Sequence, residues 1–212
     1  MLKIFKLLTN KSNFLALPVC ILVLGLGLTN CSPNSHSTET TTLPKGYIAP
    51  ATWASSICDI FIANEAKLDT LSAAFLASVH NSASLNTAQV TLLNYINEVS
   101  STISALESQV VSTPIPNDPK GKLTREKMIT VVQSFAQVMI NAKSQAQALS
   151  VTDINAFRVG AAAIGTTVQI AAQSTSKEIS FLESKKGSSV GISNAFLTSN
   201  SCKTNPTTSL GS

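Results

Sequence analysis

The sequence predicts an all-α fold: an antiparallel up-down-up-down four-helix bundle with a C-terminal tail packed on one end. Three observations predict it. Apolar residues recur at spacings of three and four along four separate segments, the period of helices that turn one face to a core. Short breaks rich in Pro, Gly, Ser, Asn and Asp separate those segments. No run alternates apolar and polar residues as a half-buried strand would.

Helix one is expected from Thr52, with Ile57, Phe61, Leu68, Leu71, Phe75 and Ser78 or Val79 on one stripe and Asn64 as its polar exception. Helix two is expected over about 86–111, with Asn86 and Thr87 as candidate caps. Its stripe runs through Val90, Leu93, Ile96, Val99, Ile103, Leu106 and Val110. The stretch from Thr113 to Gly121 holds three prolines and a glycine and ends that helix.

Thr124 is the expected N-cap of helix three, with Glu126 in its first turn. Met128, Val131, Phe135, Val138, Ala142, Gln145 or Ala146, and Leu149 form its stripe. Thr152 or Asp153 is expected to cap helix four, whose stripe holds Ile154, Phe157, Ala161, Ile164, Val168 and Ala171, then Ile179 and Leu182. The small-residue run from Gly160 to Thr167 lacks the Lys of a phosphate-binding loop and reads as the close approach of a neighbouring helix. Beyond helix four, Val190, Ile192, Phe196 and Leu197 give the tail enough apolar surface to pack on the bundle end.

Four domain segments follow: a signal peptide over 1–30, a polar tether over 31–50, the bundle over 51–203 and a disordered tail over 204–212. Lys3, Lys6 and Lys11 precede an apolar run of 15 residues, Phe14 to Leu28. A basic start and a short apolar run are the pattern of a secretory signal, and a spanning helix needs about 20 apolar residues. The tether from Ser32 to Pro44 has too little apolar surface to fold.

Composition bounds the partners. The 212 residues are 44% hydrophobic but only 12% charged, and the formal charge of +4 is concentrated in the leader. From Cys31 onward, 12 basic residues face 11 acidic ones. The basic residues Lys120, Lys122, Arg125 and Lys127, and the pair Lys185 and Lys186, read as solvated charges, so no nucleic acid is expected as a partner.

Signatures of catalysis are thin. Outside the leader the histidines are His36 in the tether and His80 at the end of helix one, where the helix dipole favours it. No CxxC or Glu-x-x-His occurs, and a Ser–His–Asp set would have to use His80. Asp59, Glu65, Asp69, Glu98, Glu107, Glu126, Asp153, Glu178 and Glu183 read as solvating charge on outer faces. The expectation is no catalytic residue, no metal and no cofactor. Ala142, Ala146, Ala161 and Ala171 could leave space for a ligand between helices, though the ordinary role of such alanines is tight helix packing.

Leu28-Thr29-Asn30-Cys31 resembles a bacterial lipoprotein box, with leucine three residues before the cysteine and Asn30 where Gly, Ala or Ser is usual. The resemblance implies a diacylglycerol, with palmitate-class chains, on Cys31. It places the chain on the extracytoplasmic face of the cell membrane; the alternative is plain secretion. Cys20 would be lost on cleavage, which leaves Cys58 and Cys202 as a pair. Cys58 opens helix one and Cys202 follows helix four, so an up-down bundle brings both to one end, where a disulfide would staple the tail. Trp53, just before helix one, is expected to cover that end.

Trp53 with Cys58, the loop from Pro114 to Pro119, Asp153 and Cys202 are together similar to small helical lipoproteins and secreted proteins of actinobacteria. That group has no settled activity, so the resemblance implies location and architecture. The expected function is a non-enzymatic, lipid-anchored envelope or surface interaction module with a protein partner. The alternative is a carrier of an apolar small molecule held between the helices.

Overall fold

The computed structural model describes residues 43–203. The leader, Cys31, most of the tether and the tail over 204–212 lie outside the described residues. What is described is all-α but for one minimal pairing. The elements are β1 (Tyr47–Ile48), α1 (Pro50–His80), α2 (Leu85–Ser112), β2 (Ile115–Pro116), α3 (Gly121–Gln147), α4 (Ile154–Glu183), α5 (Val190–Thr198) and α6 (Asn200–Lys203).

The helix ends are set by local chemistry. Pro50 stands in the first turn of α1, where its missing N–H costs nothing. Trp53 therefore lies inside α1, not ahead of it. Ser84 caps α2 by accepting from the Thr87 amide at 3.1 Å. The expected caps Asn86 and Thr87 are helical instead, because Ser84 holds the extended backbone a cap requires. Asp153 caps α4, its Oδ1 accepting from the amides of Asn155 and Ala156 at 2.8 and 3.1 Å.

The third helix starts earlier than Thr124. It begins at Gly121, and Thr124 is buried within it. A Cβ on Gly121 would collide with the Pro116 carbonyl, so only glycine lets the helix start against β2. Two parallel two-residue strands, Tyr47 opposite Ile115 and Ile48 opposite Pro116, tie the chain ahead of α1 to the proline-rich loop. They are too short to show alternation in sequence.

Successive long helices pack on one another: α1 on α2, α2 on α3 and α3 on α4. The α5–α6 segment lies against α1. The core they enclose is aliphatic, with Ile57, Ile96, Ile103, Met128, Val132 and Met139 almost wholly removed from water. Burial of such side chains contributes about 1.5–3 kcal/mol each. Two expected stripe residues face solvent, Val90 and Ile154, while Leu92 and Phe157 take the inward positions. In the tail, Ile192 and Phe196 are buried, whereas Val190 and Leu197 are exposed.

Side chains close the hairpins. Gln89 Nε2 reaches the carbonyls of Ala146, Gln147 and Leu149 at 3.0–3.2 Å, satisfying the end of α3. Arg125 donates to the Thr113 carbonyl at 3.0 Å and to the Val111 carbonyl, doing the same for α2. Gly160 meets the Leu149 side chain of the preceding loop, so the close approach there is by a loop residue and not by a neighbouring helix.

Candidate functional site

Helices α1 and α4 do not pack closely; they flank a partly open groove of about 200 Å³. An engineered cavity of about 150 Å³ already admits benzene. Each wall follows from helical periodicity. On α1, Cys58, Phe61, Ile62, Glu65 and Leu68 share a face, and on α4 Val168, Ala172, Thr175, Ser176, Ile179 and Glu183 do. The floor comes from α2 and α3, through Val99, Ile103, Leu106, Phe135 and Met139.

Aromatic groups and the disulfide shape the groove. Cys58 and Cys202 are joined as a disulfide with Cα atoms 5.2 Å apart, and both line the groove beside Phe196. Phe196 meets Trp53 edge to face at 5.7 Å. Trp53 is fully buried there, its indole N–H donating to Thr113 Oγ1 at 3.3 Å. Tyr95 lines the groove, stacked on Phe75 at 4.6 Å and bonded through its hydroxyl to Ser72 at 3.1 Å. Burial raises the Tyr95 pKa, the Ser72 hydrogen bond opposes the rise, and the Asp69 carboxylate adds to it.

The polar groups on the walls are few. Asn64, nearly buried, donates from Nδ2 to the Ile60 carbonyl and to Gln109 Oε1, both at 2.8 Å. The hydroxyls of Thr175 and Ser176 lie on the α4 wall. The carboxylates are Glu65 on α1 and Glu183 on α4, each partly buried. Removal from water pushes Glu183 up to about 7. Glu65 is raised by burial and, secondarily, by the nearby Asp69 carboxylate.

Glu65 and Glu183 are thus corrections to the reading of all carboxylates as outer-face charge. Periodicity does place both on the inward half of their helices, at Phe61+4 and Ile179+4; that was the available signal. The alanines divide between the two roles open to them. Ala142, Ala146 and Ala161 are packed tightly in the core, and Ala172 is the alanine that opens onto the groove. His80 is exposed in the last turn of α1 and is not on the groove wall. Among the described residues, no helix is long and apolar enough to cross a membrane, and no three His, Cys, Asp or Glu side chains cluster as metal ligands. Cys31 lies outside the described residues. Compared with protein-family models, curated proteins and solved structures, the chain matches none.

Proposed function

We propose that this chain is a membrane-held, extracytoplasmic binding protein that carries an apolar small molecule between its first and fourth helices. The observation that carries the reading is the groove: concave, predominantly apolar, and supplied with a few convergent polar groups. The reading takes the four long helices as an up-down-up-down bundle whose α1–α4 edge stays open, with α5 and α6 across one end. It takes Cys31 as the lipid-attachment residue, followed by the polar tether, so that the groove stands close to a source of apolar ligands. The test is binding of the neutral apolar dye N-phenyl-1-naphthylamine. Wild type is expected to bind it, and Ala172→Phe, which fills the groove, is expected to lose it while keeping its helical circular dichroism. Equal binding by both proteins would count against the groove.

A second reading, a surface interaction module for a protein partner, is favoured by a different face. Val159, Ile170 and Phe181 are 72%, 61% and 50% exposed, and their 11-residue spacing aligns them along the outside of α4. Replacing all three by Asp is expected to abolish crosslinking to an envelope protein under this reading and to leave dye binding unchanged under the first.

A further inference from the structure

The groove carries acceptors but no cation to meet them. Glu65 lies on the α1 wall and Glu183 on the α4 wall, and no Lys, Arg or His lines the groove. Neither carboxylate has a hydrogen bond or ion pair with any described residue. The remaining wall groups supply no cation. α2 contributes Tyr95, whose hydroxyl is bonded to Ser72, α3 contributes Phe135 and Met139, and α5 and α6 contribute Phe196 and the bonded Cys202. Asn64 spends its donor group on Ile60 and Gln109.

We propose that the groove takes a cationic amphiphile, an apolar body bearing an ammonium head, with the head paired to a wall carboxylate, Glu183 or Glu65. The inference rests on the groove being the binding site and adds the class of ligand. An apolar body alone would leave two partly desolvated carboxylates without partners, which costs free energy. An anionic amphiphile would add a negative charge to a groove that already holds two. An ammonium supplies three donors and the opposite charge, and charge-assisted hydrogen bonds are the strong ones. The raised Glu183 pKa is the expected mark of a carboxylate held without that cation, and bound ammonium would lower it.

The charged groups that bear on binding are Glu65 and Glu183 on the walls, Asp69 near Glu65, and the exposed Lys185 and Lys186 just beyond α4. Octylammonium stays charged throughout the range between pH 5.5 and 8, so any change in its binding reports the protein.

The test titrates octylamine, 1-octanol and octanoate into the full chain by calorimetry. At pH 8, octylamine is expected to bind at least about tenfold more tightly than 1-octanol, and octanoate most weakly. The octylamine advantage over 1-octanol is expected to shrink to about threefold or less at pH 5.5 and in Glu183→Gln. Glu65→Gln gives an independent variant should Glu183→Gln alter the fold. If 1-octanol matches octylamine in wild type, or if both Gln variants leave the ratio intact, the ammonium assignment is wrong while the groove remains a site. If none of the three compounds binds, the groove reading fails and this one with it.

Discussion

Cys58 in the third turn of α1 and Cys202 in α6 are bonded across 144 residues of sequence, and both sulfur-bearing side chains line the groove. The bond therefore closes a covalent loop around nearly the whole domain and also fixes the end of its candidate binding site. Chain-entropy arguments give such a loop about 3–5 kcal/mol of stabilisation. Thermal unfolding with and without reductant is expected to show that loss. Cys58→Ser with Cys202→Ser should reproduce it and weaken dye binding, because Phe196 is no longer held over the groove.

The indole of Trp53 and the hydroxyl of Thr113 form the second tie at this end. Thr113 Oγ1 accepts from the indole at 3.3 Å and donates to the Val110 carbonyl at 2.7 Å. Thr113→Val keeps the shape but leaves a buried N–H unpaired, at a cost of about 1–3 kcal/mol. Urea unfolding followed by the fluorescence of Trp53, the chain's single tryptophan, measures it directly.

Glu183 makes stability depend on pH in an unusual direction for a carboxylate. Its pKa rises from 4.5 to about 7 on folding, so the folded protein binds more protons than the unfolded chain within that window. The contribution of this group is fully present below about 4.5 and is lost as pH rises through about 7. Glu183→Gln is expected to be close to neutral at pH 4 and stabilising by on the order of 1–3 kcal/mol at pH 8. Denaturant titrations at the two pH values check the sign.

Asp118 and Ser189 join the proline-rich loop to the start of α5. Ser189 Oγ donates to Asp118 Oδ2 at 2.6 Å and accepts from the Ile192 amide at 3.1 Å, so one hydroxyl serves as cap and tether. Ser189→Ala is expected to cost about 1 kcal/mol. Hydrogen exchange should localise the loss to α5 amides and leave α2 and α3 protected.

Much of the frame was legible in the sequence because it depends on period and punctuation. The 3.6-residue stripes located four long helices, the three prolines located the break after α2, and Asp153 announced the start of α4. The Cys58–Cys202 pair followed from which ends those helices would bring together. Less legible was anything decided by a contact across the chain. The start of α3 depends on Gly121 against Pro116, and the β1–β2 pairing spans residues far apart in sequence. The groove belongs to this second class. Periodicity shows that Phe61, Glu65, Ile179 and Glu183 face inward on their own helices, but not that α1 and α4 stay apart and leave those residues lining a space.

Methyl-resolved NMR during a 1-octanol titration reads the site itself. If the groove is where apolar ligands bind, the shifts will concentrate on Val99, Ile103, Leu106, Met139, Val168 and Ile179, and Ala172→Phe will abolish them. Shifts centred instead on the exposed Val159 and Ile170, or no saturable shifts at all, would contradict a binding groove between α1 and α4.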